Sequence, residues 1–272
     1  MSKVRSSDGT EIAFDHVGDG PPLIMVGGAT DYRAINPTAK ELVALLAPQF
    51  AVITYDRRGR GESGDTPPYA VEREVEDLAA LIAEAGGSAF LVGFSSGAVL
   101  ALDAAASGLD IPRLAVYEPP FVVDGSRPPL PDDYVDQLDR LVSEGRRSDA
   151  AEYFVTKAAA VPEEFLAPMR DDPSWSVIEG VAHTIAYDGR IMGETMSGKP
   201  LPARRWASVT MPTLVIDGGA SDAFMHSGAD ALGELLPNAE RRTLPGQTHA
   251  VSAEALAPVI QEFFAVSAGA PS

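Results

Sequence analysis

A serine between two glycines is the residue best suited to covalent chemistry, in the run Gly93-Phe94-Ser95-Ser96-Gly97. Residues 89–92 before it are apolar as in a buried strand, and residues 98–102 after it are apolar as in a buried helix. Such a strand-to-helix turn exposes the hydroxyl at a helix N-terminus, where developing negative charge is stabilised. The glycines remove side chains that would clash in so sharp a turn. The pattern predicts that Ser95 is the nucleophile of an acyl-transfer reaction.

A serine hydroxyl needs a base to remove its proton, and the chain offers four histidines. His16 lies in a predicted N-terminal hairpin, His183 in the middle of the chain, and His226 just before a late helix. Only His249 lies in the loop after the last predicted strand, where a base above the sheet is expected. We therefore predict that His249 is the base.

The base in turn needs a carboxylate that fixes its tautomer and stabilises the imidazolium. Asp222 lies in the loop after the predicted strand that ends at Ile216, and Glu118 directly follows the predicted strand 113–117. Either carboxylate gives the chain order nucleophile, acid, base. Asp217 directly follows Ile216, and we expect it only to turn the chain. The residues alone leave Glu118 and Asp222 as alternatives.

Backbone N–H groups must also stabilise the oxyanion that forms during acyl transfer. One donor is expected to be the amide of Ser96, directly after the nucleophile, and the other the amide of Ala29 in the loop after the first buried strand. Gly28 lets the backbone approach a substrate closely, and Phe94 adjoins the nucleophile. We expect both to contact the substrate.

The element pattern predicts how these residues are positioned. Short apolar strands alternate with helices up to about residue 120 and again from about residue 207, which predicts an α/β fold with a mostly parallel sheet covered by helices on both faces. Residues 121–206 contain no strand-like run and are predicted to form a helical cap inserted into one core domain, residues 1–120 and 207–272. Aromatic and methionine side chains of this cap are expected mainly to pack it onto the core, although they could line an apolar pocket.

Composition limits the partners and the compartment. The formal net charge of −18 argues against nucleic acid or an anionic membrane surface as a partner. The chain has no cysteine, which excludes disulfides, cysteine-bound zinc and a thiol nucleophile and is compatible with the cytoplasm. No signal peptide and no apolar run near the ~18 residues of a membrane span are visible. We expect a cytoplasmic monomer or homodimer that acts on a small molecule.

These motifs resemble those of the α/β-hydrolase superfamily over nearly the whole chain. The resemblance rests on Gly27-Gly28 after the first core strand, on the run from Asp56 to Ser63, and on the serine turn followed by His249. It is closest to the capped esterase, lactonase, haloperoxidase-like and epoxide-hydrolase branches. The resemblance implies an eight-stranded, mostly parallel sheet, no cofactor and no metal.

The chain departs from the superfamily at two points. The usual His-Gly before the oxyanion loop is Gly27-Gly28 here, and the usual position of the acid, counted back from Pro237, falls on Ser221. Some haloalkane dehalogenases of the superfamily instead take the acid from the end of the sixth strand, and residues 113–118 are similar to that arrangement. The resemblance therefore favours Glu118 over Asp222.

A serine at this turn argues against the dehalogenases and epoxide hydrolases of the superfamily, which use aspartate there. We predict a serine hydrolase that cleaves a small carboxylic ester, lactone or thioester through an acyl-enzyme intermediate. Two alternatives remain. One is a non-hydrolytic, C–C bond-cleaving or ring-closing enzyme of secondary metabolism, and the other is a non-catalytic ligand-binding member.

Overall fold

A computed structural model describes residues 2–265 of the chain and contains one eight-stranded sheet. The strand order is β1-β2-β4-β3-β5-β6-β7-β8; β2 runs antiparallel to β1 and to β4, and the neighbours from β4 to β8 are all parallel. The predicted mostly parallel sheet is confirmed. The strands are β1 (Ser2–Arg5), β2 (Glu11–Val17), β3 (Pro22–Val26), β4 (Ala51–Tyr55), β5 (Phe90–Phe94), β6 (Leu114–Tyr117), β7 (Thr213–Gly218) and β8 (Ala239–Leu244).

Helices cover both faces of this sheet. One face packs against α1 (Pro37–Leu46) and α10 (Ala253–Ala265), and the other against α2 (Val71–Glu84), α3 (Ser96–Ala106) and α9 (Ala223–Leu235). Side chains that alternate along each strand supply the two cores, as in β3, where Leu23 and Met25 face one helix layer while Ile24 and Val26 face the other. Both faces of the central strands are therefore buried.

The chain between Glu118 and β7, residues 119–212, forms what we call the helical insertion. Its α-helices are α4 (Tyr134–Ser143), α5 (Arg147–Lys157), α6 (Leu166–Asp171), α7 (Trp175–Gly180) and α8 (Ile185–Met192). Two small apolar clusters, around Leu138 and around Trp175, hold these helices together. The insertion contacts the core chiefly through α8, which packs against α3 and α2.

Sequence patterns misplace one helix start near the site. The helix expected from Ser227 begins at Ala223, so that His226 lies inside its first turn rather than before it. Within residues 2–265, every helix is too short or too polar to cross a membrane.

Candidate active site

Ser95 lies on a strained turn between β5 and α3. Its backbone has φ of 53° and ψ of −127°, a combination that residues other than glycine rarely adopt. The flanking glycines make this turn possible, since a Cβ at Gly93 would come within 2.6 Å of Ala98 Cα and one at Gly97 within 2.4 Å of Gly27 O. The two glycines of the motif are therefore needed for close packing of β5, α3 and the loop after β3.

His249 and Glu118 form a hydrogen-bonded pair, although 131 residues separate them in the chain. His249 Nδ1 lies 2.8 Å from Glu118 Oε2, and the other carboxylate oxygen, Oε1, accepts a bond of 2.7 Å from the amide of Gly218. The imidazole is half-exposed, whereas the Glu118 side chain has no exposed surface. The pair thus combines an accessible imidazole with a buried carboxylate whose second oxygen is bonded to the Gly218 amide.

Glu118 is itself held at the point where the chain leaves the sheet. Its amide donates to Ile216 O of β7 at 2.9 Å, and its φ of 44° turns the chain away from the line of β6. Burial raises the pKa of this carboxyl, but the bonds from His249 and Gly218 and the nearby Ser221 hydroxyl lower the pKa more, and the net direction is downward. Glu118 is therefore an ionised partner for an imidazolium.

The loop that carries His249 is tied to the neighbouring strands. The Tyr117 hydroxyl donates to Thr248 O at 2.6 Å, and the amide of Ala220 donates to Gln247 O at 2.8 Å. A Cβ on Gly218 would lie only 2.4 Å from Gln247 O, so the loops after β7 and β8 pack without space between them. These contacts fix the height of the imidazole above the sheet.

Asp222 and Asp217 do not bond to His249. Asp222 is the exposed N-cap residue of α9, and Asp217 is fully buried at the end of β7 with bonds from His226, Arg241 and Thr243. The expectation that Asp217 only turns the chain was wrong, because it anchors β8 and α9.

The loop after β3, predicted to supply an oxyanion donor, lies against Ser95. A Cβ on Gly28 would approach Ser95 Cβ to 3.0 Å, which shows how closely this backbone passes the serine. The Gly28 carbonyl accepts a bond of 2.6 Å from Arg60 Nη1. Ala29 follows with its carbonyl bonded to the Thr30 hydroxyl. Gly28, Ala29, Phe94 and Ser96 all line the same cavity as Ser95.

A buried ion cluster connects this loop to the helical insertion. Asp188 of α8 accepts bonds from Arg57 Nη1 at 2.7 Å, from Arg60 Nη2 at 2.5 Å and from the Ser96 hydroxyl at 2.7 Å. Burial raises the pKa of Asp188, but these guanidinium groups lower it more, and the net direction is downward. One carboxylate of the insertion thus bonds both to Ser96, which follows Ser95, and to Arg60, which donates to the Gly28 carbonyl.

Sequence reasoning missed Asp188 and Arg60. The neighbouring arginines are also paired, Arg57 with Glu74 as well as Asp188, and Arg58 with Asp77 and Asp8. A signal was present, because helical spacing puts Asp188 on the same face as the buried apolar residues Ile185 and Met192. An acidic residue on a buried face requires a cationic partner.

Two cavities meet at the imidazole. The Ser95 cavity, of about 440 Å³, contains Ser95 and His249, and the His249 cavity, of about 240 Å³, contains His249 but not Ser95. Apolar side chains of the insertion and of α9 form much of the Ser95 cavity: Leu130, Tyr134, Phe154, Met192, Met196, Phe224 and Met225. Side chains of the core form the His249 cavity, including Met25, Leu42, Tyr55 and Leu256.

The remaining histidines lie elsewhere. His16 is in β2 on the antiparallel side of the sheet, His183 is bonded to Arg147 in the insertion, and His226 is bonded to Asp217. In the part of the chain that the structure describes, no three histidine or carboxylate side chains converge as a metal site would require.

Comparison with known proteins agrees with this fold. Residues 23–262 match the model of the alpha/beta hydrolase family. An alpha/beta hydrolase from Sphaerobacter thermophilus DSM 20745 has a crystal structure with a TM-score of 0.89 and 55% identity, over 97% of this chain and 100% of that one. The 2-(acetamidomethylene)succinate hydrolase of Mesorhizobium japonicum is 27% identical over 86% of this chain and 84% of its own length. A thermophilic esterase from Thermogutta terrifontis shares the fold, with a TM-score of 0.69 and 21% identity over 97% of this chain and 98% of that one. The chain belongs to the alpha/beta hydrolase family.

Proposed function

We propose that this protein is a serine hydrolase that cleaves small carboxylic esters, lactones or thioesters through an acyl-enzyme. The observation that carries the proposal is the 2.8 Å bond between His249 Nδ1 and a buried, ionised Glu118, in a cavity that also contains Ser95 on its strained turn. The three groups supply a nucleophile, a base and a carboxylate that orients the base. We also propose that the helical insertion is the cap over this site.

The proposed reaction has two steps, acylation of Ser95 and hydrolysis of the acyl-enzyme. Ser95 Oγ attacks the substrate carbonyl carbon while His249 Nε2 takes the hydroxyl proton, and the oxyanion accepts bonds from the amides of Ala29 and Ser96. The C–O or C–S bond to the leaving group breaks as His249 returns the proton to it. Water then attacks the acyl-serine ester with His249 again as base, and the acid is released as Ser95 regains its proton.

Glu118 serves both halves by keeping the Nδ1 proton of His249 in place, so that Nε2 is free to accept a proton. It stabilises the imidazolium by charge without itself taking up the proton. Its lowered pKa is the property this role needs, because a protonated carboxyl could not compensate the imidazolium charge.

Labelling with a fluorophosphonate probe tests the proposal, because the probe reacts only with an activated serine. We expect one probe molecule per chain, attached at Ser95 by peptide mass spectrometry, and no labelling of folded Ser95→Ala. His249→Gln should label at a strongly reduced rate. Unlabelled wild-type protein, or Ser95→Ala that hydrolyses an ester at the wild-type rate, would refute the serine mechanism.

A further inference from the structure

In the proposed acyl transfer, each of the two cavities receives the part of the substrate on one side of the bond that is cleaved. The acyl carbon must bond to Ser95 Oγ, and the leaving group must lie near His249, from which it receives its proton. The Ser95 cavity therefore has to take the acyl group, and the His249 cavity adjoins the place of the leaving group. The side chains that line the Ser95 cavity then determine which acyl groups the enzyme accepts.

That lining is mostly apolar, with a few polar and acidic side chains. Among residues 2–265, the carboxylates that line the Ser95 cavity are Asp31, Asp188 and Asp222, and the basic side chain that lines it is His249. Burial raises the pKa of Asp31, which receives a 2.8 Å bond from Asn36. Apolar side chains of the insertion and α9 cover most of the rest. This wall offers an acyl group hydrophobic contact, and no lysine or arginine of residues 2–265 lines it.

Arg33 and Arg57 line the adjoining His249 cavity, and both are committed to ion pairs. Arg33 pairs with Asp15, Asp56 and Glu62. Arg57 forms ion pairs with Glu74 and Asp188, and Arg60 forms an ion pair with Asp188. Arg127 of the insertion donates to the carbonyls of Lys157 and Ala158 and lies over the Phe224 ring, 4.8 Å from its centroid. Within residues 2–265, none of these guanidinium groups lines the Ser95 cavity.

We infer that the enzyme selects uncharged, apolar acyl groups and rejects acyl groups that carry a carboxylate. A carboxylate buried in the Ser95 cavity would lose its hydration without gaining a cation in exchange, and burial of an unpaired charge is strongly unfavourable. The same unfavourable burial is present in the acylation transition state, so kcat/KM is lower for an acyl group that carries a carboxylate. The inference rests on the proposed function.

Three 4-nitrophenyl esters with one leaving group test this selectivity. The 6-methylheptanoate and the adipate monoester have acyl chains of the same shape, with an isopropyl group replacing the carboxylate, and the methyl adipate diester is polar but uncharged. We expect kcat/KM for the adipate monoester to be lower than for the 6-methylheptanoate by about 100-fold or more. The diester should resemble the 6-methylheptanoate.

Salt and a matched pair of variants separate the cavity from the general negative charge of the protein. Repulsion by the surface weakens in 0.5 M salt, whereas the cost of burying a carboxylate remains. Leu130 is half-buried and lines the cavity, so Leu130→Lys adds a cation there and Leu130→Met matches its length without charge. The ratio of adipate to 6-methylheptanoate activity should rise about tenfold or more in Leu130→Lys only.

The outcomes are distinct. Equal hydrolysis of adipate monoester and 6-methylheptanoate by wild-type protein, or discrimination that disappears in 0.5 M salt, overturns the inference and leaves the serine mechanism standing. An unchanged ratio in folded Leu130→Lys also overturns it. Absence of Ser95-dependent hydrolysis of all three esters, together with no probe labelling, refutes the proposed function itself. If Leu130→Lys does not fold, the wild-type comparison in salt decides alone.

Discussion

Glu118→Gln is the substitution that most directly tests the assignment of the acid. The amide of Gly218 donates to Glu118 Oε1, so a glutamine at this position must turn its oxygen toward Gly218. Its NH₂ group then replaces the carboxylate oxygen that lies 2.8 Å from His249 Nδ1. Two donors cannot face each other, and Nδ1 has to become the acceptor. The ring proton moves to Nε2, which can no longer accept the proton of Ser95.

The expected loss follows from this change of tautomer. In a serine protease, the equivalent exchange of carboxylate for amide lowers kcat by about 10⁴. We expect a fall of roughly 10³–10⁴ in kcat here, about 4–5.5 kcal/mol in activation free energy. Because Glu118 has no exposed surface and does not line the Ser95 cavity, KM should change less than about threefold. The fold should persist, since glutamine matches glutamate in shape and keeps the Gly218 bond.

Steady-state hydrolysis of a neutral 4-nitrophenyl ester gives kcat and KM, and the rate of fluorophosphonate labelling reports the nucleophile independently. Asp222→Asn is the matched control, because it removes the competing carboxylate by the same chemical change at an exposed position on the same cavity. We expect this control to keep nearly full kcat. Retention of more than about a tenth of kcat in Glu118→Gln, with a large loss in Asp222→Asn, would refute the assignment.

Two further substitutions test what positions the oxyanion loop. Asp188→Asn leaves Arg57 and Arg60 buried with half their compensation, and we expect unfolding free energy to fall by about 3 kcal/mol in denaturant titrations at pH 7. The folded-state pKa of Asp188 is lowered, so the stabilisation that its charge provides is present above about pH 4 and is lost as pH falls through the lower folded value. The unfolding free energy of the wild type should therefore decline more steeply with acid than that of Asp188→Asn. Parallel curves of unfolding free energy against pH would contradict this. Gly28→Ala puts a Cβ 3.0 Å from Ser95 Cβ and should lower kcat roughly 10–100-fold while the melting temperature changes little; an unchanged kcat would show that the loop can retreat without consequence.

Local sequence patterns predicted the sheet and the serine turn well because each is encoded within a few residues. Apolar runs of strand length and the glycines around Ser95 are local signals, and the structure places β5, the turn and α3 where these signals indicate. His249 was chosen by elimination among four histidines, and the structure places it 2.8 Å from Glu118.

The carboxylate partner could not be decided in this way. Glu118 and Asp222 both follow a strand, and which one reaches His249 depends on the twist of the chain after β6, where Glu118 has positive φ. A preference came only from resemblance to other proteins. Asp188 and Arg60 were missed because they meet across 128 residues, and no local pattern pairs a helix in the insertion with a loop after β4. Long-range ion pairs of this kind become visible only when the tertiary structure is known.

The cluster around Asp188 also sets a rule for exchanging parts between members of this family. Ser95, Glu118 and His249 all lie outside residues 121–206, so a chimera that receives a foreign segment there keeps every group of the proposed triad. It would nevertheless lose Asp188 and bury two guanidinium groups, one of which supports the Gly28 carbonyl. A compatible donor must bring its own acidic side chain to that point. Exchange of the segment thus requires a carboxylate at that point as well as a cavity of the right shape for the new substrate.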